Sequence, residues 1–175
     1  MTYRLGPASE GNLVGVHPGI VLCVRRGIEI TRQDFGCFEG LRLLERQRGL
    51  VACGASRTLD SYHIADLLGV GHAVDLVPYV DGRLQWQMPC CNQVAIALRK
   101  ASLELRVPLT WGRVWDRQLG DLDPDNLEHE RHLYVLRYQV THPPILVNGK
   151  LVPQYPLDDG PHFQGLRADA KIKAA

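Results

Sequence analysis

Apolar residues recur at helical spacing in three stretches of this chain and alternate in several shorter ones. After His17-Pro18, the residues Ile20, Val21, Val24 and Ile28 share one helical face, and Pro18 suits the first turn of that helix. Leu41, Leu44, Gln47 and Val51 predict a second helix, stopped by Gly54. Val94, Leu98, Ala101 and Leu105 mark one face of a third helix, with Asn92 as its expected cap and Pro108 as its end. Between these, Asp34 to Phe38, Ala73 to Val77 and Pro108 to Trp111 read as short strands, the second closed by Pro78. Asp81-Gly82 signals a hairpin turn, and Asn148-Gly149 centres a second hairpin over Ile145 to Val152. Beyond Trp115 the pattern loosens, and Asp121 to His132 is polar and acidic. Helices and strands mix without regular alternation. The expectation is therefore an α+β domain rather than a doubly wound sheet.

Composition changes this picture little. The 175 residues are 45% hydrophobic and 22% charged, with a formal net charge of +1. That suits one soluble domain and gives no electrostatic reason to expect nucleic acid as a partner. Met1 to Glu10 lacks the apolar core of a signal peptide, and no apolar run reaches membrane-spanning length. The expectation is a protein made in a cytoplasm and delivered by other means to any substrate outside. The five cysteines (Cys23, Cys37, Cys53, Cys90 and Cys91) contain no C-x-x-C pair and are odd in number. They read as buried apolar thiols, with a catalytic thiol as the alternative.

Chemistry-bearing side chains concentrate in three places: Ser61-Tyr62-His63, Gly71-His72-Ala73-Val74-Asp75, and Asp159-Gly160-Pro161-His162. Asp75 lies inside an apolar strand, where an ionised carboxylate is costly unless paired or metal-bound. Two imidazoles and one carboxylate suffice to hold a catalytic zinc with a fourth position for water. Spacing alone is a weak signal, because an isolated histidine is more often a hydrogen-bonded structural residue than a ligand.

The combination of motifs is more specific. Gly15-Val16-His17-Pro18, Glu39-Gly40-Leu41-Arg42 with Glu45-Arg46-Gln47, the run from Gly54-Ala55-Ser56 to Ser61-Tyr62-His63, Gly71-His72-Ala73-Val74-Asp75-Leu76-Val77, Val107 to Gly112, and Asp159-Gly160-Pro161-His162-Phe163-Gln164 occur in this order over nearly the whole chain. Together they resemble the phage L-alanyl-D-glutamate endopeptidases of the M15 metallopeptidases, a family that also holds D-Ala-D-Ala carboxypeptidases. The resemblance implies a small antiparallel sheet packed with helices and a zinc site in a cleft on the sheet. It implies zinc ligands His63, Asp75 and His162, with Asp159 as general base and Arg42 polarising the scissile carbonyl. Ser61 and Thr58 would shape the substrate subsite; their hydroxyls are equally open to a turn or cap role.

The implied substrate is the peptidoglycan stem peptide, cut by an endolysin at lysis or by a virion-borne lysin that contacts other virion proteins. An endolysin of this kind is expected to be a monomer. A D-Ala-D-Ala carboxypeptidase and a catalytically inactive wall-binding relative are the alternatives. The family pattern runs His-x-x-Gly-x-Ala-x-Asp, whereas here Ile64 to Val70 separates His63 from Gly71. The extra residues are expected to bulge outward and leave both ligands in place, with replacement of His63 by His72 as the alternative. A second departure is the long segment 116–157 inside a single domain 1–166, followed by a mobile tail, 167–175. Its histidines, His129, His132 and His142, are expected at the surface, a second metal site at His129 and His132 being the alternative. Arg113 stands where relatives often carry glycine.

Overall fold

A sheet of five strands forms the centre of the computed structural model, which describes residues 2–167. Strands β1 (Phe35–Glu39), β2 (Ala73–Val80), β7 (His162–Gly165) and β4 (Leu109–Trp111) lie in the order β1-β2-β7-β4, every neighbour antiparallel. A two-residue strand β3 (Arg83–Leu84) turns back on β2 through Asp81 and Gly82, both at positive φ as the tight hairpin requires. The expected α+β architecture, a small antiparallel sheet packed with helices, is the observed one.

Alternation along the strands decides which face is covered. Phe35, Cys37, Val74, Leu76, Leu109, Trp111 and Phe163 point into one core. Helix α2 (Pro18–Ile30) supplies Ile20, Cys23, Val24 and Ile28 to it, and α4 (Met88–Leu105) supplies Val94, Ala95, Leu98 and Ala101. Full burial of each Val, Leu, Ile or Phe among them is worth about 1.5–3 kcal/mol. The short helix α1 (Pro7–Asn12) packs on β1, and α3 (Leu44–Ala52) buries only Gln47. Leu119, Leu122, Leu127 and Tyr134 of the long segment join the same core.

Some expectations are corrected. Strand β2 does not close at Pro78. Pro78 falls between the two ladders on that side of β2, since β7 pairs with Ala73 to Asp75 and β3 with Tyr79 and Val80. Tyr79 N–H still reaches Asp34 O at 2.8 Å, and Pro78 O accepts from Gln85 N–H at 2.8 Å. Helix α4 starts at Met88 with Gln87 as its cap residue, not at Asn92, whose side chain bonds to Glu128 and Arg113 instead. Helix α3 starts at Leu44, after Leu41.

Within the loosely patterned segment, Leu127–Thr141 forms helix α5, which buries only Leu127, Glu130 and Tyr134. Ion pairs anchor it: Arg113–Glu128 at 2.6 Å, Arg117–Glu130 at 2.7 Å, Arg131–Asp158 at 3.1 Å and Arg137–Asp116 at 2.6 Å. No wide apolar stripe announced that helix. His129, His132 and His142 are exposed. The hairpin of β5 (Ile145–Val147) and β6 (Lys150–Val152) forms around Asn148-Gly149 as expected. Of the expected tail, all but Arg167 lies outside the described residues.

No helix among the described residues is long and apolar enough to cross a membrane. Cys23 and Cys91 are buried and their thiols pushed up to about 11, Cys37 to about 12, by burial first of all. Such thiols are poor nucleophiles.

Candidate active site

Register builds the first part of the site. Val74 and Leu76 face the core, so Asp75 between them faces the other side of the sheet. On β7, His162 sits directly opposite Asp75, while Phe163 opposite Val74 enters the core. On β1, the register shifts between Cys37 and Glu39, and this bulge brings Glu39 opposite Asp75. Three polar side chains from three strands thus stand in one row. A one-residue slip would turn each of them into the core.

His63 reaches this row from the loop after α3. Its carbonyl accepts from Arg42 N–H at 2.8 Å, and its Nδ1–H donates to Gly40 O at 2.7 Å. That second bond fixes the tautomer and leaves the Nε2 lone pair turned towards the row. His162 is arranged in mirror fashion: Nε2 lies 3.2 Å from Gln164 Oε1, and Nδ1 faces Asp75. The three inward atoms are 3.3 Å (His63 Nε2 to His162 Nδ1), 3.3 Å (His63 Nε2 to Asp75 Oδ1) and 3.1 Å (His162 Nδ1 to Asp75 Oδ1) apart.

Three acceptor atoms this close repel unless a proton or a cation lies among them. A tetrahedral zinc site, with bonds of about 2.0–2.2 Å, has edges of about 3.3–3.6 Å between ligand atoms. The donor set and its spacing therefore fit a zinc-sized divalent cation. Among the described residues this is the group of His, Cys, Asp and Glu arranged to hold a metal ion. Burial alone would raise the Asp75 pKa, but hydrogen bonds and charge from His162 and His63 hold it well below the carboxylate range. Burial opposes a charge on His162, and contact with Asp75 outweighs it, raising that imidazole.

Arg42 stands beside the cluster, its NH2 3.6 Å from Asp75 Oδ2. NH2 also donates to Glu39 Oε2 at 2.5 Å, and NH1 donates to Gln47 Oε1 at 2.7 Å. Gln47, fully buried, is held in turn by Ser56 Oγ at 2.8 Å and Thr58 O at 2.6 Å. Among the described residues Nε of Arg42 has no acceptor. Asp159 and His162 are the first and fourth residues of a turn closed by His162 N–H to Asp159 O at 3.2 Å, which accounts for their spacing. Asp159 N–H donates to Gly112 O at 3.0 Å. A Cβ at 112 would run into the Asp159 carbonyl, so this position requires glycine. Burial raises the Asp159 carboxyl above its ordinary range, with His162 pulling it down and Asp75 pushing it up. Ser61 Oγ accepts from His63 N–H at 3.3 Å and Thr58 Oγ1 from Asp60 N–H at 2.9 Å. Both hydroxyls thus close turns, each keeping its own proton to donate.

The inserted residues bulge outward. Leu67 and Leu68 are 94% and 83% exposed. Asp66 ties the loop: Oδ1 accepts from Leu68 N–H at 2.8 Å and Val70 N–H at 3.2 Å, and Oδ2 lies 2.9 Å from His72 Nε2. His72 N–H donates to Tyr62 O at 2.7 Å across its base. His72 is therefore spent on Asp66 and does not replace His63 in the cluster. Asp66→Ala is expected to increase cleavage by proteases at Leu67 and Leu68 and to lower Tm by a few degrees. Metal binding should persist, because the bond from His72 to Tyr62 survives. Limited proteolysis beside a zinc titration checks both.

Sequence assigns no role to several residues here. Glu39, Gln47 and Gln164 lay within the quoted motifs, but nothing in their spacing showed that they orient Arg42 or His162. The Gly40 carbonyl carries no side-chain signal at all. Trp115, whose ring centroid lies 5.1 Å from that of His162 and whose Nε1 donates to Leu157 O at 3.1 Å, marks in sequence only the point beyond which the pattern loosens.

Comparison with known proteins agrees with this geometry. The model of the phage L-alanyl-D-glutamate peptidase family matches residues 1–133, which hold Arg42, His63 and Asp75. The L-alanyl-D-glutamate peptidase of Escherichia phage T5 is 30% identical over 120 residues, covering 66% of this chain and 84% of that protein. The L-Ala D-Glu endopeptidase of Serratia marcescens has a similar structure: TM-score 0.65, 30% identity, 97% of this chain and 94% of that one. That likeness also spans the segment carrying Asp159 and His162, beyond the family match. With most of its length matched and its polar row intact, the chain belongs to the phage L-alanyl-D-glutamate peptidase family.

Proposed function

We propose that this chain is a zinc-dependent peptidoglycan endopeptidase that hydrolyses the L-Ala–D-Glu bond of the stem peptide, as a phage endolysin or a virion-borne lysin. The observation that carries the reading is the convergence of His63 Nε2, Asp75 Oδ1 and His162 Nδ1 within 3.1–3.3 Å, the far nitrogen of each imidazole anchored. What zinc supplies at such a centre is Lewis acidity towards water and the scissile carbonyl.

The chain's own groups do the rest. His63 and His162 present neutral lone pairs, and Asp75 contributes one negative charge. Asp159 takes the proton of the attacking water and returns it to the departing amine; its raised pKa suits a group that must do both. Arg42, braced by Glu39 and Gln47, turns a permanent charge and a rigid fork of donors towards the developing oxyanion. Ser61 and Thr58 contribute hydroxyl donors to the substrate subsite. In this reading residues 1–166 act as one domain, with 116–157 inserted in it. The protein is made in the host cytoplasm and reaches the wall on release or in the virion.

Metal analysis and mass spectrometry of digested muropeptides test the proposal. The expected result is about one zinc per chain and a product with a new N-terminal D-Glu. Release of free D-Ala would instead identify a D-Ala-D-Ala carboxypeptidase. A folded, metal-free and inert protein would identify a wall-binding relative without catalysis.

A further inference from the structure

Arg113 is buried, its side chain only 5% exposed, and it joins three separate parts of the fold. Its Nε donates to Asp158 Oδ1 at 2.9 Å. NH1 donates to Glu128 Oε1 at 2.6 Å and Asn92 Oδ1 at 3.1 Å, and NH2 to Glu128 Oε2 at 3.1 Å. The other oxygen of Asp158 accepts from Arg131 Nε at 3.1 Å. Two arginines and two carboxylates thus close a balanced network among α4, α5 and the loop before β7. A buried guanidinium without those carboxylates would be strongly destabilising, which ties Arg113 to the segment that supplies Glu128 and Arg131.

The network ends one residue from the proposed base. Among the described residues the Asp159 carboxylate accepts no side-chain hydrogen bond; burial and the charges of His162, Asp75 and His63 act on it. Its direction is set by backbone, at Gly112 and His162 on one side and through the peptide from Asp158 on the other. We propose that Asp158, clamped by Arg113 and Arg131, is a positioning residue for Asp159, and that α5 is the brace that holds this clamp. The proposal rests on the reading of Asp159 as general base. Its chemistry is orientation: a carboxylate turned away from the water it must deprotonate loses rate, while substrate binding and the metal ligands are untouched.

The test uses the zinc-loaded full chain, a purified muropeptide bearing an intact stem, and the variants Asp158→Ala, Asp158→Asn and Asp159→Asn. Asp158→Ala is expected to lower kcat about 10- to 100-fold, the cost of a misplacement of about 1 Å. KM should stay within about twofold and zinc stoichiometry should be unchanged, since only orientation is lost. Asp158→Asn, which keeps volume and an acceptor oxygen, should fall in between and serves if the alanine variant does not fold. In an Arg113→Ala background, Asp158→Ala should cost less than it does alone. A wild-type kcat for Asp158→Ala, a loss of rate that tracks loss of zinc, or, where the alanine variant does not fold, a wild-type kcat for Asp158→Asn overturns the proposal. Asp159→Asn separates the two failures. Full activity of that variant removes the base role itself, whereas an inactive Asp159→Asn beside a fully active Asp158→Ala removes only the clamp.

Discussion

Asp159→Asn is expected to lower kcat by about 10²- to 10⁴-fold, the usual contribution of a positioned general base. This corresponds to about 2.7–5.5 kcal/mol of transition-state stabilisation. Asparagine keeps the shape of the turn, because the bonds that close it run through backbone: Asp159 N–H to Gly112 O and His162 N–H to Asp159 O. The variant should therefore fold and load metal like the parent. Zinc content and Tm unchanged, with turnover of muropeptides nearly gone, is the outcome that assigns the proton transfer to this carboxylate. Normal turnover would move the base elsewhere, and Glu39 would be examined first, since it shares the row with Asp75.

His63→Ala is expected to remove both metal and activity. Two remaining ligands, Asp75 and His162, lie 3.1 Å apart and would collapse into an ordinary histidine–carboxylate pair. Loss of zinc affinity should exceed the roughly 10–100-fold typical of removing an outer hydrogen-bond partner of a ligand. The fold should survive, because the core of α2, α4 and the inner sheet face does not include His63. Competition with a chromophoric chelator reads the affinity, and circular dichroism reads the fold. A variant that still binds zinc as tightly as the parent would mean that the ion sits elsewhere.

How much of this was legible in sequence differs from element to element. Helices α2 and α4 and strands β1, β2 and β4 announced themselves, because each buries one face and so carries a period of 3.6 or 2. Helix α5 did not, because ion pairs to Arg113, Asp116, Arg117 and Asp158 hold most of its length and leave no apolar period to read. Strand β2 runs past Pro78 because the proline falls between the pairings with β7 and β3, and sequence does not say where those pairings stop. Of the site, the residue types and motif spacings around Arg42, His63, Asp75, Asp159 and His162 were visible. Their distances were not.

Sequence by itself determined helices α2 and α4, strands β1, β2 and β4 and the two hairpin turns, and the order of its motifs pointed to a set of side chains able to hold a cation. These follow from local periodicity, turn chemistry and motif order. Only the tertiary structure decided that Glu39, Asp75 and His162 share one face, that Gly40 and Gln164 fix the two imidazoles, and that Arg113 reaches Asp158 and Glu128. Such facts depend on strand register and on contacts between residues far apart in the chain, where a shift of one position reverses every side chain.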